Sequence, residues 1–300
     1  MIADLNNSRP ATLLDKLLVF PQYLIPQHLL SRVTYHLTRA RWKPLKNLLI
    51  RNFIRLFNVD MSEASEPDYR AYRHFNHFFT RSLRAGIRTI DTGNTVISPV
   101  DGCISQLGDI NAGELFQAKH RYYTLDSLLA GEQDMARQFQ DGTFATLYLS
   151  PKDYHRIHMP VDGRLSRMTY VPGRLFAVNA RTTRVVYSLF ARNERIICLF
   201  ETSSGPMALV MIGAINVGSL ETVWSGEITP GTKRVVQDWN YHNDSAAIKL
   251  VKGEEMGRFN MGSTVLLLFG KGQVKWLPDL QSSDAVTMGM PLAELQTTVG

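Results

Sequence analysis

"EEMGRFNMGSTVLLLF" occupies residues 254–269 and carries the fold reading. Val265 to Phe269 is a run of five apolar residues closed by Gly270, the mark of a short buried strand. Similar runs begin near residue 85: "NTVISPVDGCISQLG", "GTFATLYLSP", "RIICLFET" and "MALVMIGAINVGS". Glycine and proline punctuate them, and they do not alternate with helices as βαβ units would. The spacing predicts an α+β protein with a mostly antiparallel β-sandwich or barrel-like core behind N-terminal amphipathic helices. One probable helix, "LDSLLAGEQDMARQFQ" (125–140), interrupts the strands. In front of the 265–269 strand lies a Gly262-Ser263-Thr264 step. Glycine there permits a tight or strained entry into the strand, and the plain reading is a turn containing a serine.

Three hundred residues with 44% hydrophobic content suffice for one large or two ordinary domains. Cys103 and Cys198 are far apart, without metal-type spacing, and in apolar surroundings. Buried free thiols are the reading, as in a reducing compartment. The charge is uneven. Residues 1–60 hold nine Lys or Arg and three Asp, a net +6, which is the formal charge of the whole chain. Residues 61–300 are therefore neutral overall, which divides the chain into a basic end (1–60) and a main domain (61–300).

The basic end reads as three proline-separated helices: 12–20, 26–42 and 44–57. In the third, Asn47, Arg51 and Arg55 form a narrow polar stripe between broad leucine and phenylalanine faces. No stretch reaches the roughly 18 consecutive apolar residues of a spanning helix, and the start lacks a signal-peptide pattern. Two readings stand: helices lying in an anionic membrane surface, or helices packed on the rest of the protein. The arginines alternate with large aliphatics and match no nucleic-acid motif, so nucleic acid is not expected as a partner. Residues 58–84 join this end to the β domain and read as helical.

Two further stretches have chemical potential. "SPVDGC" (98–103) places Asp101 before Gly102, a common turn dipeptide. "LSPKDYHRIHMPVDG" (149–163) carries His155 and His158 after a strand. Two histidines three apart can serve as metal ligands, as a general base, or as ordinary loop residues. A metal site needs a third ligand, and no HExxH pattern is present, so no metal is expected. Serine, histidine and aspartate together are the parts of a nucleophile activated by a base that a carboxylate orients. A serine hydroxyl held against the carbonyl of its preceding residue can attack it in an N-to-O acyl shift, and glycine at that position tolerates the distortion.

Between Val59 and Thr264 the chain resembles the phosphatidylserine decarboxylases of the short bacterial type. The resemblance rests on "FNHFFTRSLR" (75–84), "SPVDG" (98–102), "TLYLSPKDYHRIHMPVDG" (146–163) and "YVPGRLFAVN" (170–179). It continues through "LFARNERIICLFET" (189–202), "VGSLETVWSGEITP" (217–230) and "KGEEMGRFNMGST" (252–264). Met261 and Ala177 depart from the leucine and serine often found there.

The resemblance implies a chain that cleaves itself between Gly262 and Ser263. His158 takes the Ser263 proton, Asp101 orients and stabilises the imidazolium, and Ser263 becomes a covalent pyruvoyl group. The implied products are a large chain, 1–262, and a small chain, 263–300, folded together, with a homodimer of that pair left open. It also implies decarboxylation of phosphatidylserine through a Schiff base to Ser263's pyruvoyl group, with His155 the candidate proton donor. Such an enzyme would sit on the cytoplasmic face of the cell membrane as a peripheral protein. A metal-dependent hydrolase using His155 and His158, and a non-enzymatic membrane-associated β domain, are the competing readings.

Overall fold

Thr264–Phe269 forms a strand in the middle of a nine-stranded antiparallel sheet, with all six residues buried. It pairs with Gly205–Ile212 on one side and Thr143–Tyr148 on the other, so Thr264 stands opposite both Ile212 and Tyr148. Val265, three leucines and Phe269 fill both faces, as expected of a strand covered on both sides. Beyond Thr143–Tyr148 the sheet continues through Gly102–Asp109 to Ala285–Val286. Beyond Gly205–Ile212 it continues through Arg195–Thr202 and Gly163–Val171 to Gln237–Asn240, with Lys249–Leu250 pairing alongside Gly163–Val171.

This computed structural model describes residues 9–215, 219–228, 235–242, 247–261 and 264–296. A four-stranded sheet runs in the order Gly226–Ile228, Leu220–Thr222, Glu255–Phe259, Arg156–His158. A three-stranded sheet (Thr95–Ile97, Pro291–Leu295, Val274–Trp276) and the Glu114–Ala118/Arg121–Thr124 hairpin complete the β structure. No closed barrel forms among the described residues, and the fold is α+β as the sequence predicts. Cys103 and Cys198 are buried free thiols.

Helices α1 (Leu13–Val19), α2 (Pro21–Leu24), α3 (Gln27–Thr38) and α4 (Lys43–Phe57) make the N-terminal region. α1 opens on a capping box, Thr12 Oγ1 accepting from the Asp15 amide and the Asp15 carboxylate from the Thr12 amide. The polar sides of the first three helices face the protein. Asp15 is buried against Arg184, Gln27 Oε1 accepts from the Leu175 amide at 2.9 Å, and Gln22 Oε1 accepts from the Ala177 amide at 2.9 Å. The leucines face outward instead: Leu13 is 74% exposed and Leu24 71%. Of the two readings, packing on the rest of the protein is what α1 to α3 display. They pack on the protein through their polar faces and leave the apolar faces uncovered. None is long and apolar enough to cross a membrane, among the described residues.

Two helical expectations need correction. Within 58–84 only α5 (Phe75–Phe79) is helical; the rest is turns and one bridge between Ala64 and Leu83. Phe75, Phe78 and Phe79 join Tyr72, Ile50 and Val59 in a second core, and this clustering, not helical repetition, places the segment. The 125–140 helix is broken into Leu125–Leu128 and Gln133–Phe139. Between them Ala130 and Gly131 take positive φ of 62° and 83°, which no continuous helix accepts.

Candidate active site

The strand before the Gly262-Ser263 step and the strand after it are each paired with one end of the histidine loop. Glu255–Phe259 pairs with Arg156–His158, and Phe259 N–H donates to His155 O at 3.0 Å. Thr264 pairs with Tyr148, at the other end of the 149–155 loop. Asp101 precedes Gly102–Asp109, whose Cys103 also faces Tyr148. Gly102 has φ 155°, and a Cβ there would come within 2.2 Å of Tyr148 O, so only glycine lets the Asp101 corner approach this closely. Gly262 and Ser263 themselves lie outside the described residues. Met261 holds φ 147°, a region that side-chain-bearing residues rarely adopt and that costs on the order of 1–3 kcal/mol. Its side chain packs against the phenylalanine core.

His158 is buried with both ring nitrogens engaged. Nδ1 lies 2.8 Å from Gly253 O and Nε2 3.0 Å from Tyr154 Oη. A carbonyl can only accept, so Nδ1 carries the proton and Nε2 is the basic nitrogen, accepting from Tyr154. Burial pushes the Tyr154 hydroxyl up to about 12, which keeps it protonated for that role. Burial also lowers the His158 pKa, against the raising effects of Gly253 O, Glu255 and Asp101. Gly253 has φ 82°, and its carbonyl fixes the Nδ1 proton and the orientation of the ring.

Asp101 is placed differently from the sequence-based expectation of an orienting partner. Its carboxylate accepts from Arg88 Nε at 3.0 Å, from Arg88 Nη2, and from the Met288 amide at 2.8 Å. Arg88 in turn binds Glu63 at 2.8 Å, and its pKa is raised chiefly by the Asp101 hydrogen bonds. Asp101 therefore acts on His158 through space, by charge, and not by a hydrogen bond.

His155 is fully buried with its ring 4.1 Å from that of Phe79. Nδ1 donates to Asp153 O at 2.8 Å, while Nε2 has no partner. Burial lowers its pKa to about 3, so the ring is neutral at pH 7 and its free nitrogen is an acceptor. Thr264 Oγ1, on the residue directly after Ser263, is likewise buried without a partner. Among the described residues no group of three or more His, Cys, Asp or Glu is placed to hold a metal ion.

Sequence reasoning missed Arg88, Glu63, Tyr154, Gly253 and Met288. Tyr154 was visible in "DYHRIH". The others reach the site across long sequence separations, 95 residues for Gly253 and His158.

Residues 75–294 match the phosphatidylserine decarboxylase family, and residues 17–58 match a second family description, PSD. The chain belongs to the phosphatidylserine decarboxylase family. It is 51% identical over 285 residues to the phosphatidylserine decarboxylase proenzyme of Marinobacter nauticus, covering 94% of this chain and 99% of the relative. It is 49% identical to that of Acidovorax ebreus (93% and 98% covered) and 51% to that of Nitrosococcus oceani (95% and 93%). All three relatives are proenzymes by name. In this phosphatidylserine decarboxylase, the family match takes in Arg88, Asp101, Tyr154, His155, His158, Gly253, Ser263 and Met288, and leaves Glu63 outside it.

Proposed function

We propose that the chain decarboxylates phosphatidylserine to phosphatidylethanolamine with a pyruvoyl group that it makes from Ser263 by cutting itself at Gly262–Ser263. The observation that carries this reading is the pairing of the strands on both sides of that step with both ends of the histidine loop.

His158 Nε2 takes the Ser263 hydroxyl proton, with Gly253 O holding Nδ1 and Asp101 favouring the imidazolium by charge. Ser263 Oγ attacks the Gly262 carbonyl carbon and the amide nitrogen leaves it, giving an ester. Loss of the Ser263 α-proton expels the Gly262 carboxylate, which keeps the serine oxygen, and leaves dehydroalanine. Addition of water then releases ammonia.

Residues around the step suit such a group: residue 263 is joined to the buried Thr264, whose hydroxyl lacks a partner, and the His155 Nε2 lone pair is bare. When present, a pyruvoyl group supplies an electron sink for the bond to the departing carboxylate. His155 Nε2, neutral at pH 7, accepts the proton that the substrate ammonium must lose to become nucleophilic. It then holds that proton for delivery to the carbon that loses carbon dioxide, which reconciles its donor role with its low pKa.

The exposed leucines of α1 to α3, with the net +6 of residues 1–60, fit docking on the anionic cytoplasmic face of the membrane, where the substrate resides. The deciding experiment follows purified protein for conversion of phosphatidylserine in mixed micelles, with borohydride added as a trap for the carbonyl. Turnover that borohydride abolishes is expected. Absence of turnover, or turnover by an unbroken 300-residue chain, would overturn the reading.

A further inference from the structure

Arg81 follows the phenylalanine core and is 5% exposed. Its Nη2 donates to Lys152 O at 2.9 Å, and its guanidinium lies 5.5 Å from the Phe78 ring centroid. Nε and Nη1, with three N–H donors between them, have no partner. Among the described residues no carboxylate lies within ion-pair distance. Asp101, Glu63 and Asp153 act on it by charge alone. The neighbouring arginines differ: Arg88 is saturated by Asp101 and Glu63, and Arg156 is ion-paired to Glu255 with its Nε on Thr80 O. Lys152, whose carbonyl Arg81 holds, adjoins Asp153, whose carbonyl holds His155. The unsaturated cation thus belongs to the histidine loop.

A buried guanidinium short of partners is costly to keep unless an anion meets it. The phosphatidylserine headgroup brings two anions, a carboxylate and a phosphodiester. An ion pair to the carboxylate would stabilise the charge that the reaction must discharge, and would slow it. The phosphodiester keeps its charge throughout, so binding it is uniform and carries no such penalty. Resting on the function proposed above, we infer that Arg81 is the receptor for the phosphodiester anion of the headgroup, positioning the serine moiety beside His155.

The test uses the uncleavable Ser263→Ala full-length protein in detergent, titrated calorimetrically with glycerophosphoethanolamine and separately with ethanolamine. Glycerophosphoethanolamine should bind more tightly than ethanolamine. Adding Arg81→Gln should weaken the former by about tenfold to a hundredfold, the range of a lost charged hydrogen bond, and leave the latter unchanged. If that variant does not fold, Arg81→Lys, which keeps charge without the planar donors, should give a smaller loss of the same kind. In self-cleaved enzyme, Arg81→Gln should raise KM for phosphatidylserine more than it lowers kcat. Undiminished phosphodiester binding, no preference over ethanolamine, or a kcat loss at constant KM overturns the subsite. Absence of phosphatidylserine turnover in the unsubstituted protein would instead overturn the proposed function, and the binding titration is read independently of it.

Discussion

His158 and His155 are three residues apart but are held by different bonds, so substitutions should separate two reactions. Ser263→Ala should abolish both cleavage and decarboxylation. His158→Ala should leave most chain uncut, because a positioned base contributes about 10²–10⁴ in rate. Asp101→Asn should slow cleavage less than His158→Ala, since the carboxylate touches Arg88 and not the imidazole. His155→Ala should cleave yet turn over lipid poorly. A denaturing gel beside a lipid assay reads all four, and the opposite result for the two histidines would exchange their roles. Acid gives a second reading. The folded state depresses the His155 pKa from 6.5 to about 3, so the unfolded chain binds more protons in that window. The neutral-ring contribution to stability is complete above pH 6.5 and is lost as pH falls toward 3. The fall in melting temperature between pH 7 and pH 5 should be smaller in His155→Gln than in the unsubstituted protein. An identical fall in both would remove His155 as a cause. His158, His74 and His77, also lowered by burial, contribute with the same sign.

At the scale of elements, α1 to α3 turn the usual arrangement around, polar side in and leucine side out, whereas α4 packs Ile50 and Phe53 on the second core. Each exposed leucine moved into an acyl boundary is worth about 1.5–3 kcal/mol, and each basic residue near an anionic surface about 1 kcal/mol. Leu13→Gln, Leu17→Gln and Leu24→Gln together should therefore weaken flotation with anionic vesicles at every salt concentration. Arg51→Gln with Arg55→Gln should weaken it mainly at low salt. Flotation unaffected by the leucine changes would show that another surface docks. This arrangement was only half legible in the sequence. Periodicity revealed three amphipathic helices, but the burial of Asp15 depends on Arg184, 169 residues away, and that of Gln27 on the Leu175 backbone. The 264–269 strand was legible because five consecutive apolar residues allow little else. The 58–84 segment misled because its phenylalanines serve a tertiary cluster, not a helical face. At the site, residue types and order exposed Ser263, His158, His155 and Asp101. The Gly253 carbonyl that orients His158, and the Arg88 that occupies Asp101, are consequences of folding that no local pattern carries.

At the scale of the molecule, intact mass under denaturing conditions should give two chains. The lighter should fall short of peptide 263–300 by one ammonia, and its amino end should resist stepwise degradation. A single chain in active protein would be fatal to the maturation scheme. Under native conditions the two should migrate together. The small chain's first described residues, Thr264–Phe269, bond to a strand on each side, and withdrawing those buried side chains would expose apolar surface worth roughly 10 kcal/mol. That placement has a genealogical consequence. If the chain matures as proposed, each large fragment should keep the small fragment with which it was translated. Isotopically heavy and light preparations, mixed after maturation and incubated for days, should yield only parental pairings. Separately synthesised halves should fail to reconstitute, because the sheet would have to close around a strand that normally enters it while still part of the same polypeptide.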